Sequence, residues 1–384
     1  MREEKLMIRL DENEKRMLDS CASENGLPTS SWARSQLLKA ARNGNGLHPS
    51  LPLADRGLSI LSLFCGPGGL DQGFREAGFQ PRLAFDIDRE CVGTFAANHP
   101  GAQAFVRDIR KLRLDELDSL HGGAFAPVGV IGGPPCQSFS VSNVHQREDD
   151  PRHGLAEAYA DLLTKLNQRS PVSFFLFENV PGLLGKKHRH RYERFKSLFE
   201  AAGFTVCEQI LDAKYFGVPQ ERERIFIVGI NTSLHPGKTW TPPSPQREVR
   251  TVRDAIGGLP EPVHNRRGLD PESIPVHPNH WCLVPRSRKF KNANLKQGQA
   301  IGRSFRTLSW NRPSWTVAYG HREVHVHPEG HRRLSIYEAM LLQTFPSSYR
   351  LTGNMTAQIR LVSEAVPVRL ALRIAQSIRQ SLVI

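Results

Sequence analysis

The sequence predicts an α/β fold built on a mainly parallel sheet, joined to a smaller irregular domain and a short N-terminal extension. Three observations predict it. From Gly57 onward, short apolar runs alternate with segments of helical spacing. One run ends in a glycine-rich turn that opens a helix, Phe64-Cys65-Gly66-Pro67-Gly68-Gly69. The span 241–332 breaks the alternation and is rich in Pro, Gly, Arg and Trp. The expected strands are Ser59–Phe64, Arg82–Asp86, Ala104–Val106, Val128–Gly132, Ser173–Glu178, Phe204–Leu211 and Arg224–Ile230, with helices between several of them, including Gly69–Ala77 and Tyr192–Ala202. A chain of 384 residues, 39% hydrophobic, can bury a large core in two or three domains. The expected borders are an extension at 1–45, a linker at 46–56, a main domain at 57–235 plus 333–384, and an inserted domain at 236–332.

Within the extension, Lys5–Leu10 is a strand candidate, and Glu12–Glu24 places Met17, Leu18, Cys21 and Ala22 at helical spacing. Asn25-Gly26 stops that helix, and Thr29 or Ser30 can cap a second one over Ser31–Ala41. Strand, helix, turn and helix in this order resembles the ribbon–helix–helix repressors. That resemblance implies a dimer through paired strands that enter the major groove. The alternative is a helical hairpin that only packs on the main domain.

No apolar run approaches the ~20 residues that span a bilayer, and the N-terminus is polar and charged. Six cysteines lie far apart with no Cys-x-x-Cys pair, which argues against a disulfide framework or structural zinc. A cytoplasmic protein without a membrane partner is expected. The net charge of +13 suggests a polyanionic partner. Between Thr241 and Arg333 there are 16 Lys and Arg against seven Asp and Glu, so most of the excess lies in one quarter of the chain.

Glycines at the Phe64–Gly69 turn let the backbone approach a ligand closely. Asp71 occupies the place of the third glycine of a dinucleotide fingerprint, and no Lys-Ser/Thr of a phosphate loop follows. The next strand ends at Asp86, 20 residues after Gly66, where a carboxylate can bind the two hydroxyls of a ribose. A third strand ends in Arg107-Asp108-Ile109, and Asp108 could accept from an adenine amine. Together these strand ends describe a pocket for an adenosyl group, with a nicotinamide cofactor still open.

The reaction class comes from Gly132-Gly133-Pro134-Pro135-Cys136-Gln137-Ser138-Phe139-Ser140, which follows an apolar strand and puts Cys136 at the sheet's carboxyl edge. A cysteine becomes a strong nucleophile where its surroundings favour the thiolate. A second strand brings Glu178 to the same edge, followed by Asn179-Val180-Pro181. Further on, Gln220-Glu221-Arg222-Glu223-Arg224 leads into another strand.

These segments, in this order, resemble the bacterial DNA (cytosine-5-)-methyltransferases over about Ser59–Gly229 and Arg333–Ser377. The resemblance implies a Rossmann-like domain that uses S-adenosyl-L-methionine to methylate carbon 5 of a cytosine flipped out of duplex DNA. It implies that Cys136 attacks carbon 6, Glu178 holds ring nitrogen 3 and the exocyclic amine, and Arg224 contacts the ring oxygen. Arg222 would support the nucleophile's loop, and the Pro135 carbonyl would meet the amine. For the cofactor it implies Phe64 stacked on adenine, Asp86 on the ribose, Asp108 on the adenine amine, and Gly66, Gly68, Gly69, Leu70 and Pro134 along the remainder. Gln137 and Ser140 would face DNA, and Gln137–Gly154 would form a closing loop.

The inserted span sits where this family carries its target-recognition domain, so Arg286, Arg288, Arg303 and Arg306 are candidate DNA contacts, to base edges or phosphates. Trp281, Trp310 and Trp315 are expected in a small core. His321, His325, His327 and His331 are expected on a solvated or phosphate-facing surface without a metal. Ser363-Glu364 stand where the family has Gly-Asn ahead of Ala365-Val366-Pro367. The resemblance also implies a cognate restriction endonuclease as a functional partner, and the extension adds a role in repressing the enzyme's own gene. Two other classes compete: a tRNA cytosine-5 methyltransferase and a DNA-binding regulator on an inert scaffold. Methyl incorporation into DNA against tRNA separates the first, and intact Cys136, Glu178 and Arg224 speak against the second.

Overall fold

The computed structural model describes residues 11–24, 28–34, 57–135, 154–291, 295–301, 305–316 and 324–382. The chain divides into two compact units, residues 1–50 and 51–384. In the first, α1 (Glu12–Glu24) has the expected bounds. Asp11 caps it: Oδ1 accepts from the Asn13 and Glu14 amides, and Glu14 Oε2 accepts from the Asp11 amide at 2.8 Å. A second helix, α2, covers residues 29–34, so Thr29 is helical and donates its hydroxyl to Asp19 Oδ1 at 2.7 Å. The Lys5–Leu10 strand and the end of the second helix lie outside the described residues.

The second unit begins β1 (Ser59–Leu63), α3 (Gly69–Glu76), β2 (Gln80–Asp86), α4 (Arg89–Asn98), β3 (Gln103–Val106), α5 (Leu114–His121), β4 (Gly129–Gly132), α6 (Leu155–Arg169), β5 (Phe174–Asn179), α7 (Arg189–Ala201), β6 (Phe204–Asp212) and β7 (Glu223–Asn231). These strands form one sheet in the order β3-β2-β1-β4-β5-β7-β6. The first five are parallel, and β7 runs antiparallel to both β5 and β6. Central strands are apolar on both faces because helices cover both. In β5, Phe175 and Phe177 pack on one side with Tyr159 and Phe199, while Phe174 and Leu176 pack on the other with Phe74 and Ile374. The strand order reverses between β1 and β4, and a crevice opens there beyond the carboxyl ends of the strands.

The chain continues through α8 (Val252–Ile256), β8 (Val263–His264), β9 (Trp281–Cys282), α9 (Arg288–Lys291), β10 (Ala300–Ile301), β11 (Phe305–Thr307) and β12 (Val324–Val326), and closes with α10 (Ile336–Leu342), α11 (Met355–Glu364) and α12 (Val368–Leu382). The strands of the inserted region are two or three residues long, in a pair β8-β9 and a trio β10-β11-β12. Trp281 is buried with Val252 and Ile256, and Trp310 and Trp315 pack against that cluster. Two expectations need correction. Residues up to Gln246 still pack on the large sheet's side: Trp240 is buried against α12, its indole donating to Ser377 Oγ at 2.8 Å, and the Gln246 amide bonds the Tyr215 carbonyl. The chain therefore leaves the main core later than residue 236. His325 and His327 are buried, not solvated, because β12 pairs with β11 and its end turns inward onto Trp310 and Arg332; His331 is exposed, and His321 lies outside the described residues.

Candidate active site

At the switch point lies a cavity of about 620 Å³, lined by the loops after β1 to β5 and by residues 360–366. Its size suits one nucleoside-bearing ligand. The chain leaves β1 with Phe64 at φ 53°, an uncommon conformation for a side-chain-bearing residue and a sign of a loop held under constraint. Asp86 supports that loop: Oδ2 accepts from the Gly66 amide at 3.0 Å and Oδ1 from the Asp88 amide at 2.9 Å. Burial nonetheless pushes its pKa above the ordinary aspartate value, so the cavity floor favours neutral hydroxyl donors or a nearby positive charge.

Phe64, Gly66, Gly69, Leu70, Asp86, Asp108 and Pro134 all line the cavity. Gly68 faces the other way. At φ 87° its missing Cβ would stand 2.5 Å from the Tyr349 hydroxyl and 2.6 Å from His99 Nε2, and that hydroxyl donates to the Pro67 carbonyl. A residue from the chain's last quarter thus pins the glycine turn from behind. Asp108 is engaged by Arg110, at 2.6 Å from Nη2 to Oδ2, and this partner holds its pKa low.

The other end of the cavity is formed by Gly133, Pro134, Pro135, Glu178, Arg222 and Arg224. Glu178 Oε1 lies 3.1 Å from Arg224 Nε, with 13% and 18% of the two side chains exposed, so the pair is shielded but open toward the cavity. Burial raises the Glu178 pKa, and the nearby Arg224 and Arg222 offset only part of that rise. Gly133 makes room for the acid: a Cβ there would sit 2.6 Å from Glu178 Oε2. Asn179, next along β5, donates to the Pro134 carbonyl at 3.4 Å and ties the tip of β5 to the Pro-Pro loop. Cys136, Gln137 and Ser140 lie outside the described residues, which end at Pro135 and resume at Gly154.

Arg222 is buried and donates to the Ser363 and Glu364 carbonyls at 3.1 and 3.4 Å, so it joins the loop ahead of β7 to the segment that departs from Gly-Asn. The inserted region grips the same loop. The Glu221 amide bonds the Ser314 carbonyl at 2.8 Å, the Ser314 amide bonds the Pro219 carbonyl at 2.9 Å, and the Thr316 hydroxyl donates to the Glu221 carbonyl at 2.8 Å. Arg286 and Arg288 are exposed, and Arg306 stacks 5.8 Å from the Trp315 ring; Arg303 lies outside the described residues.

Two cavity residues, Ile87 and Arg360, escaped the sequence reading. Ile87 is 69% exposed yet lines the cavity, an apolar platform next to Asp86. An Ile that follows a strand-ending Asp looks like a strand residue in sequence, so no signal marked it. Arg360 pairs with Asp88 at 2.7 Å and Glu364 at 3.6 Å, a contact across the fold that spacing could not reveal. Elsewhere, His327, Glu329 and His331 bring ligand atoms within 4.8 Å of one another. Arg332 is already bonded to Glu261 at 2.7 Å and Glu338 at 2.9 Å beside them, and supplies the positive charge of that corner.

Residues 58–380 match the family model for C-5 cytosine-specific DNA methylase. Among curated proteins, the Type II methyltransferase M.MthTI of Methanothermobacter thermautotrophicus is 34% identical over 85% of this chain and 98% of its own length. M.FnuDI of Fusobacterium nucleatum is 30% identical over 85% and 95%. Among solved structures, a protein assigned as a DNA modification methyltransferase of an E. coli prophage superposes with a TM-score of 0.71 at 24% identity, covering 85% of this chain and all of that one.

Proposed function

Since the chain belongs to the C-5 cytosine-specific DNA methylase family, we propose that it methylates carbon 5 of a cytosine extruded from a specific duplex sequence, with Cys136 as nucleophile, as the modification enzyme of a restriction-modification system. One observation carries the reading: Glu178 and Arg224 converge at one end of a cavity whose floor is Asp86 and the Phe64–Leu70 turn. S-adenosylmethionine fits that cavity by volume and by donor set, and would supply an electrophilic methyl group. Asp86 would take the ribose hydroxyls, Phe64 and Ile87 would bracket the adenine, and Asp108 would meet its amine. The carboxyl groups of Asp86 and Glu364 both line the cavity and suit a sulfonium cation.

The Cys136 thiolate adds to carbon 6 of the cytosine, which removes the aromaticity that makes carbon 5 unreactive. Glu178, whose pKa burial raises, donates to ring nitrogen 3 and neutralises the charge that develops there. Arg224 holds the acid in place and meets the ring oxygen. After methylation, loss of the carbon 5 proton expels Cys136 and restores the ring. Cys65 and Cys91 also line the cavity, but burial and Asp86 hold both as thiols, so neither competes as nucleophile.

Residues 1–45 lie outside the matched family segment; we assign them a ribbon–helix–helix-like role in dimerisation and DNA binding, separate from catalysis. Among the described residues no helix is long and apolar enough to cross a membrane, which fits a cytoplasmic enzyme. Bisulfite sequencing of genomic DNA from cells that express the chain tests the function: protected cytosines confined to one short motif are expected. Methyl groups found only in tRNA from the same cells would overturn it.

A further inference from the structure

Directly after the catalytic strand the chain carries a second basic region, far in sequence from the inserted domain. Between Lys186 and Arg194 there are five Lys and Arg and one acid, Glu193. Lys186, Lys187, Arg189 and Arg194 are exposed. The region spans the start of α7, whose first turn holds no acidic residue. Cations at a helix N-terminus oppose the helix dipole and weaken the helix. A local cost of this kind, repeated over several residues, marks a surface kept for another purpose.

The placement of these charges is fixed by the fold. From Glu178 the chain runs through Val180 into a short 3-10 turn, Pro181–Leu184, with Leu183 buried, and then through consecutive hydrogen-bonded turns to His188, which is buried at the head of α7. The Arg189 guanidinium lies 5.4 Å from the ring of buried Tyr192, and Arg189 and Arg194 are held by Glu193 and Glu157 at 2.6 and 3.4 Å. Eight residues separate Glu178 from Lys186, at most about 28 Å of fully extended chain, and less when folded into turns. A duplex that presents its flipped base to Glu178 extends beyond that distance on both sides within roughly nine base pairs.

We propose that residues 186–194 form a phosphate-binding rim on the catalytic domain, which grips the substrate duplex beside the extruded base while the inserted domain reads its sequence. The partner chemistry is the phosphodiester backbone, without base specificity. The inference rests on duplex DNA being the substrate.

The test is binding of a 30-base-pair duplex of random sequence, followed by fluorescence anisotropy between 50 and 300 mM NaCl. The full chain is compared with a Lys186→Gln/Lys187→Gln variant and a Lys186→Arg/Lys187→Arg variant. Two lost phosphate contacts should reduce the slope of log K against log salt by about 1.8 and weaken binding more than tenfold near 0.1 M salt, while the arginine variant keeps the parent slope. Cofactor affinity and thermal melting of all three proteins are expected to agree. If the parent binds duplex and the glutamine variant shows the same slope, the rim is wrong and the enzyme's function stands. If the parent itself fails to bind duplex, the failure belongs to the substrate assignment.

Discussion

Glu178→Gln is expected to lower kcat by about 10²- to 10³-fold, the loss typical for one group aimed at developing charge, with cofactor binding little changed. Glutamine keeps the shape and the contact with Arg224 but cannot pass a proton to ring nitrogen 3. The pH profile carries a second signature. Burial raises the Glu178 pKa above the ordinary glutamate value, so the protonated form persists to higher pH and is lost as pH rises through that raised value. The parent should therefore show a fall in kcat toward high pH from this group, and the Glu178→Gln variant should lack that limb. Single-turnover methyl transfer measured from pH 5.5 to 9 checks both. Equal rates in variant and parent would remove Glu178 from the chemistry.

Asp71→Asn is expected to stabilise the enzyme at pH 8 and to do so less at pH 5. Asp71 is fully buried in the first turn of α3, and burial pushes its pKa from 3.8 to about 7, against the lowering effect of the Ser62 hydroxyl and its own backbone amide. The native state holds a proton that the unfolded chain releases above pH 3.8. Stability therefore falls as pH rises from about 4 to about 7 and is level beyond. Three units correspond to about 4 kcal/mol, an upper bound softened by the positive end of α3. Urea unfolding at pH 5 and pH 8 should show the gap between variant and parent widening with pH. A constant gap would mean that the aspartate is ionised in the fold throughout.

Much of the framework was legible because it depends on local pattern. All seven strands of the large sheet were found within two residues of their bounds, since a strand covered on both faces reads as an apolar run between turn residues. Asp86, Glu178 and the Gly-rich turn could be placed beside one cavity because each stands at a strand end, where crevices open in such a sheet. What depends on contacts across the chain was not legible. Tyr349 beneath Pro67, Arg360 on Asp88 and Thr316 on Glu221 join residues roughly 90 to 280 apart, and no periodicity encodes such pairs. The buried histidines were misplaced for a related reason. A His-rich stretch looks solvated until the pairing of β12 with β11 turns His325 and His327 inward. Trp240 similarly belongs to α12 and not to the inserted domain it precedes.

A covalent bond between Cys136 and carbon 6 of cytosine is tested by trapping on duplex DNA in which every cytosine is replaced by 5-fluorocytosine. After methyl transfer the fluorine cannot leave as a proton does, so the adduct cannot collapse. A denaturant-stable complex of one chain and one DNA strand is expected, formed only when S-adenosylmethionine is present and absent from a Cys136→Ser variant. A parent enzyme that methylates ordinary duplex yet leaves no stable complex, or a Cys136→Ser variant that is trapped as well, would contradict it.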